Sequence, residues 1–161
     1  MNQPIIRPIE KRDDPFVKEV VQSVFIELDA PKIGTAFADP ALECMFETYQ
    51  KDRSAYFVVE NDGNIIGGAG IAPLNNYDGN VCELQKMYFM PEARGSGLGQ
   101  VMMERCLEMA IQNNFDQCYL ETFAFMKAAQ KLYERVGFKY IENAMGNTGH
   151  YACPVHMLKD L

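Results

Sequence analysis

The apolar positions of this chain follow two periods, one typical of helices and one typical of strands. Across residues 17–28, Val, Phe and Leu side chains recur at steps of three and four, which predicts a helix with one face on a core. Residues 54–60 and 65–72 are apolar and flank Asp62-Gly63, a dipeptide that favours a tight hairpin turn. The same criteria predict strands over residues 5–9, 54–60, 65–72, 82–89, 117–122, 138–141 and 151–158, and helices over 13–28, 40–49, 97–112 and 127–136.

The predicted order is β-α-α-β-β-β-α-β-α-β-β, which indicates an α/β (α+β) fold. It implies a mixed central sheet of about seven strands flanked by about four helices. The front of the sheet is largely antiparallel, and one strand-helix-strand crossover lies at its centre. A length of 161 residues suits a single domain spanning 1–161.

Composition and charge exclude several classes of protein. No apolar run approaches the ~20 residues needed to span a bilayer, and the N-terminus lacks the layout of a signal peptide, so we expect a cytoplasmic protein without a membrane partner. A formal net charge of −7 disfavours nucleic acid as a partner. The five cysteines are an odd number without a Cys-x-x-Cys pair, which argues against disulfides and against a metal site.

The segment from Cys82 to Gly99 predicts an anion-binding site. The pattern predicts a strand that ends at a proline, followed by a helix whose first turn contains alternate glycines. At such a helix start the backbone N–H groups lack intrahelical partners and the helix dipole is positive, which favours an anion. A Walker P-loop would require Gly-Lys-Ser/Thr, which is absent after Gly97. The dinucleotide fingerprint fits weakly too, because its third glycine would fall on Met102 or Gln100.

Arg94-x-x-Gly97-x-Gly99, directly after a strand, resembles the acetyl-CoA signature of the GNAT superfamily of N-acetyltransferases. The predicted element order is similar to that family as well. One departure is Met126, which stands where many members carry an asparagine that contacts the cofactor. Further matches are Tyr119-Leu120-Glu121, Ala128-Ala129-x-x-Leu132-Tyr133-Glu134-x-x-Gly137-Phe138 and a closing hairpin.

The resemblance implies a sheet that splays between its fourth and fifth strands, with acetyl-CoA bound as co-substrate in the gap and no metal. The pantetheine arm of the ligand would pair with freed strand backbone like an additional strand. The pyrophosphate would lie against the helix start and its arginine. The residues implied for acetyl-CoA binding are Met87, Tyr88, Phe89, Arg94, Gly95, Ser96, Gly97, Leu98 and Gly99.

Acetyl transfer to an amine needs a base and an acid. An amine of pKa ~10.4 must lose a proton before it attacks, and the departing CoA thiol, of pKa ~8.5, benefits from a proton donor. The resemblance favours Glu121 as base, with Glu83 as the competitor, and Tyr133 as acid. Each residue also fits a structural role, as a strand glutamate or a core tyrosine. A non-catalytic acyl-CoA-binding regulator and a nucleotide-binding enzyme remain alternatives.

The acceptor is left open by the sequence. It is expected in a groove formed by the first two helices and the last hairpin, and we expect a small-molecule or peptide amine; a homodimer is also left open. His150-x-x-Cys153-x-x-His156 is read as strand residues rather than a metal site, because successive members point to opposite faces. A group of acidic residues in this region either favours a cationic amine or simply forms a solvated face. These residues are Glu27, Asp29, Asp39, Glu43 and Glu47.

Overall fold

The computed structural model describes residues 2–161, and these residues form one seven-stranded sheet with helices on both faces, which confirms the predicted fold. No helix in this range combines the length and the apolar character needed to cross a bilayer. The strands are Ile5–Pro8 (β1), Ala55–Asn61 (β2), Asn64–Pro73 (β3), Val81–Phe89 (β4), Gln117–Thr122 (β5), Lys139–Ile141 (β6) and Val155–Asp160 (β7), and the helices are Asp14–Glu27 (α1), Met45–Thr48 (α2), Leu98–Gln112 (α3) and Lys127–Arg135 (α4).

Two predicted elements differ from the structure. The helix expected over 40–49 is instead a 3₁₀ turn, Pro40–Glu43, followed by the single-turn α2, because Cys44 between them has non-helical backbone angles. A tertiary contact fixes this break, since the Phe46 N–H donates to an Asp14 carboxylate oxygen of α1. The last strand begins at residue 155 rather than 151, because residues 142–154 form a long connection, here called the β6–β7 loop.

The sheet order is β1-β2-β3-β4-β5-β7-β6, and every neighbouring pair is antiparallel except β4 and β5. The parallel pairing of β4 with β5 ends at Glu83 and Tyr119, after which the two strands diverge, so the predicted splay is confirmed. A β-bulge accompanies the divergence: Lys86 and Met87 together oppose Ala69 of β3, and Lys86 has a positive φ of 47°. The bulge turns the end of β4 away from its parallel neighbour.

Side-chain alternation along β4 and β5 separates a core face from a polar face. Cys82 and Leu84 of β4 and their counterparts on β5 pack into a buried cluster with α3. Glu83 and Glu121 point to the opposite face, on the side of α1. The sheet therefore carries both candidate bases on one face, next to the gap between the strands.

Candidate active site

A cleft of about 360 Å³ opens beside the carboxyl end of β4. α1 forms one wall, and the segment before α4 together with α4 forms the other. Of the residues that the sequence assigned to acetyl-CoA, the structure brings six to the cleft wall: Met87, Tyr88, Phe89, Arg94, Gly95 and Gly99.

The remaining three predicted residues build the turn that leads into α3. Gly97 caps the helix, Leu98 is its first residue, and the Ser96 hydroxyl donates to the Ala93 carbonyl oxygen at 2.9 Å. Gly95 and Gly97 have φ values of +71° and +82°, and a Cβ added at either would meet no atom within 4 Å. Bare backbone thus borders open space at a helix N-terminus, which fits an anionic ligand group.

Arg94 is fixed at the mouth of the cleft by two elements. Its Nε donates to the Phe89 carbonyl oxygen at 3.0 Å, and its Nη1 and Nη2 donate to the two carboxylate oxygens of Glu27 at 2.8 and 2.7 Å. The hydrogen bonds from Arg94 lower the pKa of Glu27. Glu27 is therefore engaged with an arginine of the cleft wall, a contact that sequence spacing did not reveal.

A second, smaller cavity of about 30 Å³ lies in the gap between β4 and β5. Lys86 and Glu121 line it from the two strands, and Cys153 lines it from the β6–β7 loop. Tyr133 of α4 lines both cavities. Its ring is buried, burial raises the pKa of its phenol, and no hydrogen bond to its hydroxyl is found within residues 2–161. A protonated hydroxyl without a protein partner thus lies where the two cavities meet.

Glu83 is a buried carboxyl group at the base of the gap, with a side chain that is 4% exposed. Its Oε1 accepts a hydrogen bond from Gln85 Nε2 at 2.6 Å, and Gln85 in turn accepts one from the Tyr49 hydroxyl at 2.6 Å. Burial, with a smaller contribution from the negative charge of Glu121, raises the pKa of Glu83 to about 7. Its ionisation is therefore balanced near neutral pH.

Glu121 is held by hydroxyl groups instead. One carboxylate oxygen accepts from the Tyr119 hydroxyl at 2.7 Å, and the other accepts from the Thr148 hydroxyl. The Tyr119 oxygen also accepts from the Met145 N–H at 3.2 Å. Because Thr148 and Met145 both belong to the β6–β7 loop, Glu121 anchors that loop to the sheet.

A buried ion pair that the sequence did not predict lies on the same face. Lys86 Nζ is 2.8 Å from Asp39 Oδ2, and His150 Nε2 lies 3.4 Å from the same oxygen. The hydrogen bond from His150 and then the charge of Lys86 hold the pKa of Asp39 well below its usual range, against the opposing effect of burial. The available sequence signal was a lysine inside a strand whose other residues are mostly apolar, apart from Glu83 and Gln85.

The acids expected to attract a cationic amine are largely engaged in ion pairs. Besides Glu27 and Asp39, Glu43 pairs with Lys18 and Glu47 pairs with Lys11. The histidines of the β6–β7 region also serve separate partners, since His156 approaches Tyr119 while His150 approaches Asp39. Within residues 2–161, no cluster of three or more His, Cys, Asp or Glu side chains is placed to hold a metal ion.

A glycine-lined helix start lies beside a long cleft, and a narrow gap with carboxyl and phenol groups continues it; this arrangement fits acyl transfer from an extended thioester. The family model described as "Acetyltransferase (GNAT) family" matches residues 23–138. The chain belongs to the GNAT family and is an acetyl-CoA-dependent N-acetyltransferase.

Similar proteins agree with this assignment. The N-acetyltransferase YjgM of Escherichia coli is 44% identical over 160 residues, covering 98% of this chain and 95% of YjgM. N-acetylaspartate synthetase of Rattus norvegicus is 33% identical over 70% of this chain, which matches only 39% of the synthetase. The structure of the acetyltransferase yncA from Salmonella typhimurium with acetyl-CoA has the same fold, with a TM-score of 0.78 at 20% identity over 99% of this chain and 95% of yncA.

Proposed function

We propose that this enzyme transfers the acetyl group of acetyl-CoA to a primary amine by direct attack in a ternary complex. The observation that supports this most directly is the small cavity between β4 and β5. Tyr133 reaches it from the cleft side, and Glu121 and Lys86 line it from the two strands. In the proposed reaction, the thioester and the amine meet at this cavity.

Direct attack is favoured over an acetyl-enzyme intermediate by the state of Cys153. This thiol lines the small cavity, but burial raises its pKa to about 12. The thiolate is the nucleophilic form of cysteine, and it is scarce at neutral pH when the pKa lies so high. The amine is therefore the nucleophile in the proposed reaction.

We propose Glu83 as the base that accepts the amine proton. A general base works best with a pKa near the working pH, which the buried Glu83 carboxyl has. Both oxygens of Glu121 already accept hydrogen bonds from Tyr119 and Thr148, which suits an anchoring role. After the amine attacks the carbonyl carbon, the C–S bond breaks and the Tyr133 hydroxyl protonates the departing CoA sulfur.

For acetyl-CoA, we propose that the pantetheine arm follows the backbone of residues 87–89. The pyrophosphate would lie against residues 94–99, where the glycine turn leaves open space. Met126 takes no polar part in this arrangement, and it lines both cavities as an apolar wall. The name of the N-acetylaspartate synthetases suggests small amino acids as the first acceptors to try.

Two measurements test the proposal. Acetyl-CoA at a hundredfold excess over its Kd should stabilise the protein by about 2.7 kcal/mol, while ATP and NAD should not. An amine panel with CoA release as readout should then identify an acceptor. Binding of acetyl-CoA without release of CoA for any amine would instead indicate a non-catalytic acyl-CoA-binding regulator.

A further inference from the structure

We propose that the acceptor carries a carboxylate next to its amine, as an amino acid does, and that Lys86 binds this carboxylate. The inference rests on the proposed function, because it concerns the second substrate of the same site. It assigns a role to a buried charged group that the transfer reaction itself does not use.

The position of Lys86 is unusual for a lysine. It lies in the bulge of β4 with a φ of 47°, a conformation that few residues other than glycine adopt. Its side chain is 4% exposed, and the residue lines the cavity between β4 and β5 together with Glu121 and Tyr133. Lys86 thus borders the cavity in which, in the proposed reaction, the amine meets the thioester.

The protein satisfies this ammonium group only in part. An ammonium has three N–H donors, and within residues 2–161 the only ion-pair partner of Lys86 is Asp39. Asp39 is itself shared, because Oδ1 accepts from the Ala41 N–H at 2.9 Å and Oδ2 also faces His150. Asp39 therefore orients the lysine, while donors of the ammonium group remain for a ligand.

The fold does not require a charge at this point. Buried ion pairs are commonly replaced by apolar residues of similar size without loss of stability, so structure alone gives no reason for a lysine in the cavity wall. A ligand carboxylate gives one. The cavity would then offer Glu121 of β5 to the ammonium group of an amino acid and Lys86 of β4 to its carboxylate.

A second role for Lys86 would be to stabilise the oxyanion that forms on the acetyl carbonyl. The two roles predict different results with matched acceptors. A carboxylate contact matters only for acceptors that carry the carboxylate, whereas an oxyanion contact matters equally for every acceptor.

The experiment compares each amino acid that serves as acceptor with its α-amide, in the wild type and in Lys86→Met. A hydrogen bond to a charged group contributes roughly a factor of 10–100, so wild-type kcat/KM should fall by that factor from acid to amide. In Lys86→Met, kcat/KM should fall by the same factor for the acid and by much less for the amide, with each protein compared at its own pH optimum because Lys86 also lowers the pKa of Glu83. Equal losses for both acceptors, or a wild type that acetylates acid and amide equally, would overturn the proposal.

Controls separate folding from recognition. Lys86→Arg keeps the positive charge and should retain the preference for the acid. The thermal shift with acetyl-CoA reports whether Lys86→Met is folded. If Lys86→Met does not fold, the double variant Lys86→Met with Asp39→Asn replaces it, because this variant removes both charges of the ion pair together. Equilibrium dialysis of the labelled amino acid with CoA present measures binding without turnover. If the amino acid binds in a Lys86-dependent way but the protein acetylates no amine, the proposed function is refuted and the carboxylate site is not.

Discussion

Replacing Glu83 with glutamine should lower activity and raise stability at the same time. The substitution keeps the size of the side chain and a hydrogen-bonding partner for Gln85, but it removes the ionisable group. If Glu83 is the base, kcat/KM should fall by roughly 10²–10⁴, the usual contribution of a positioned proton acceptor. The wild-type pH profile should bend near pH 7, and the variant should lack this bend.

The gain in stability follows from the raised pKa. Burial moves the pKa of Glu83 from 4.5 to about 7, so the folded protein holds a proton that the unfolded chain releases. The associated stabilisation is complete below pH 4.5 and is lost as the pH rises through 7. At pH 8 the ionised carboxylate therefore costs the folded state about 3 kcal/mol, taking about 1.36 kcal/mol per unit of pKa. Glu83→Gln should recover that amount, or roughly 6–12 °C in Tm.

The assay is denaturant unfolding of both proteins at pH 4.5 and pH 8, together with kcat/KM between pH 5.5 and 9. Glu121→Gln is the matched control, since it makes the same change on the same face of the sheet. It removes an acceptor from Tyr119 or Thr148, so it should lose stability at both pH values. A Glu83→Gln enzyme with kcat/KM within twofold of wild type and an unchanged bend would refute the assignment of the base.

Three further changes test other parts of the site. Gly97→Val should abolish the thermal shift with acetyl-CoA. Gly63 has the same φ of +82° and equally open surroundings, so Gly63→Val is the matched control and should retain the shift. Equal loss in both variants would mean that backbone strain is responsible. Tyr133→Phe should lower kcat by roughly 10²–10⁴. Its Tm should change little, because the Tyr133 hydroxyl has no protein partner within residues 2–161. Single-turnover rates within twofold of wild type would contradict its role as acid. Thr148→Val should raise the KM for the acceptor severalfold and speed hydrogen exchange at the Met145 N–H, while acetyl-CoA binding stays unchanged. Thr148→Ser, which keeps the hydroxyl, should restore the wild-type KM and exchange rate. A Thr148→Val protein with unchanged exchange would show that the hydroxyl does not hold the β6–β7 loop.

The sequence was sufficient for the fold and for the glycine turn that leads into α3, since both depend on local patterns. Periodicity and turn dipeptides located the strands and the long helices within a few residues, because each element buries one face of its own repeat. The turn formed by the alternate glycines after Arg94 could likewise be predicted from their spacing alone. The helix predicted over 40–49 was wrong in extent, because the contact of Phe46 with Asp14 joins parts of the chain that lie 32 positions apart.

Only the tertiary structure distinguished the carboxylates and exposed the ion pair of Lys86. Glu83 and Glu121 look alike along the chain, and they differ because Glu83 is buried beside Gln85 while Glu121 accepts from the hydroxyl of Tyr119 in β5 and that of Thr148 in the β6–β7 loop. Lys86 and Asp39 meet through a bulge and a 3₁₀ turn that no local pattern specified. A pKa and an ion pair depend on burial and on neighbours from distant segments, and folding alone brings these together.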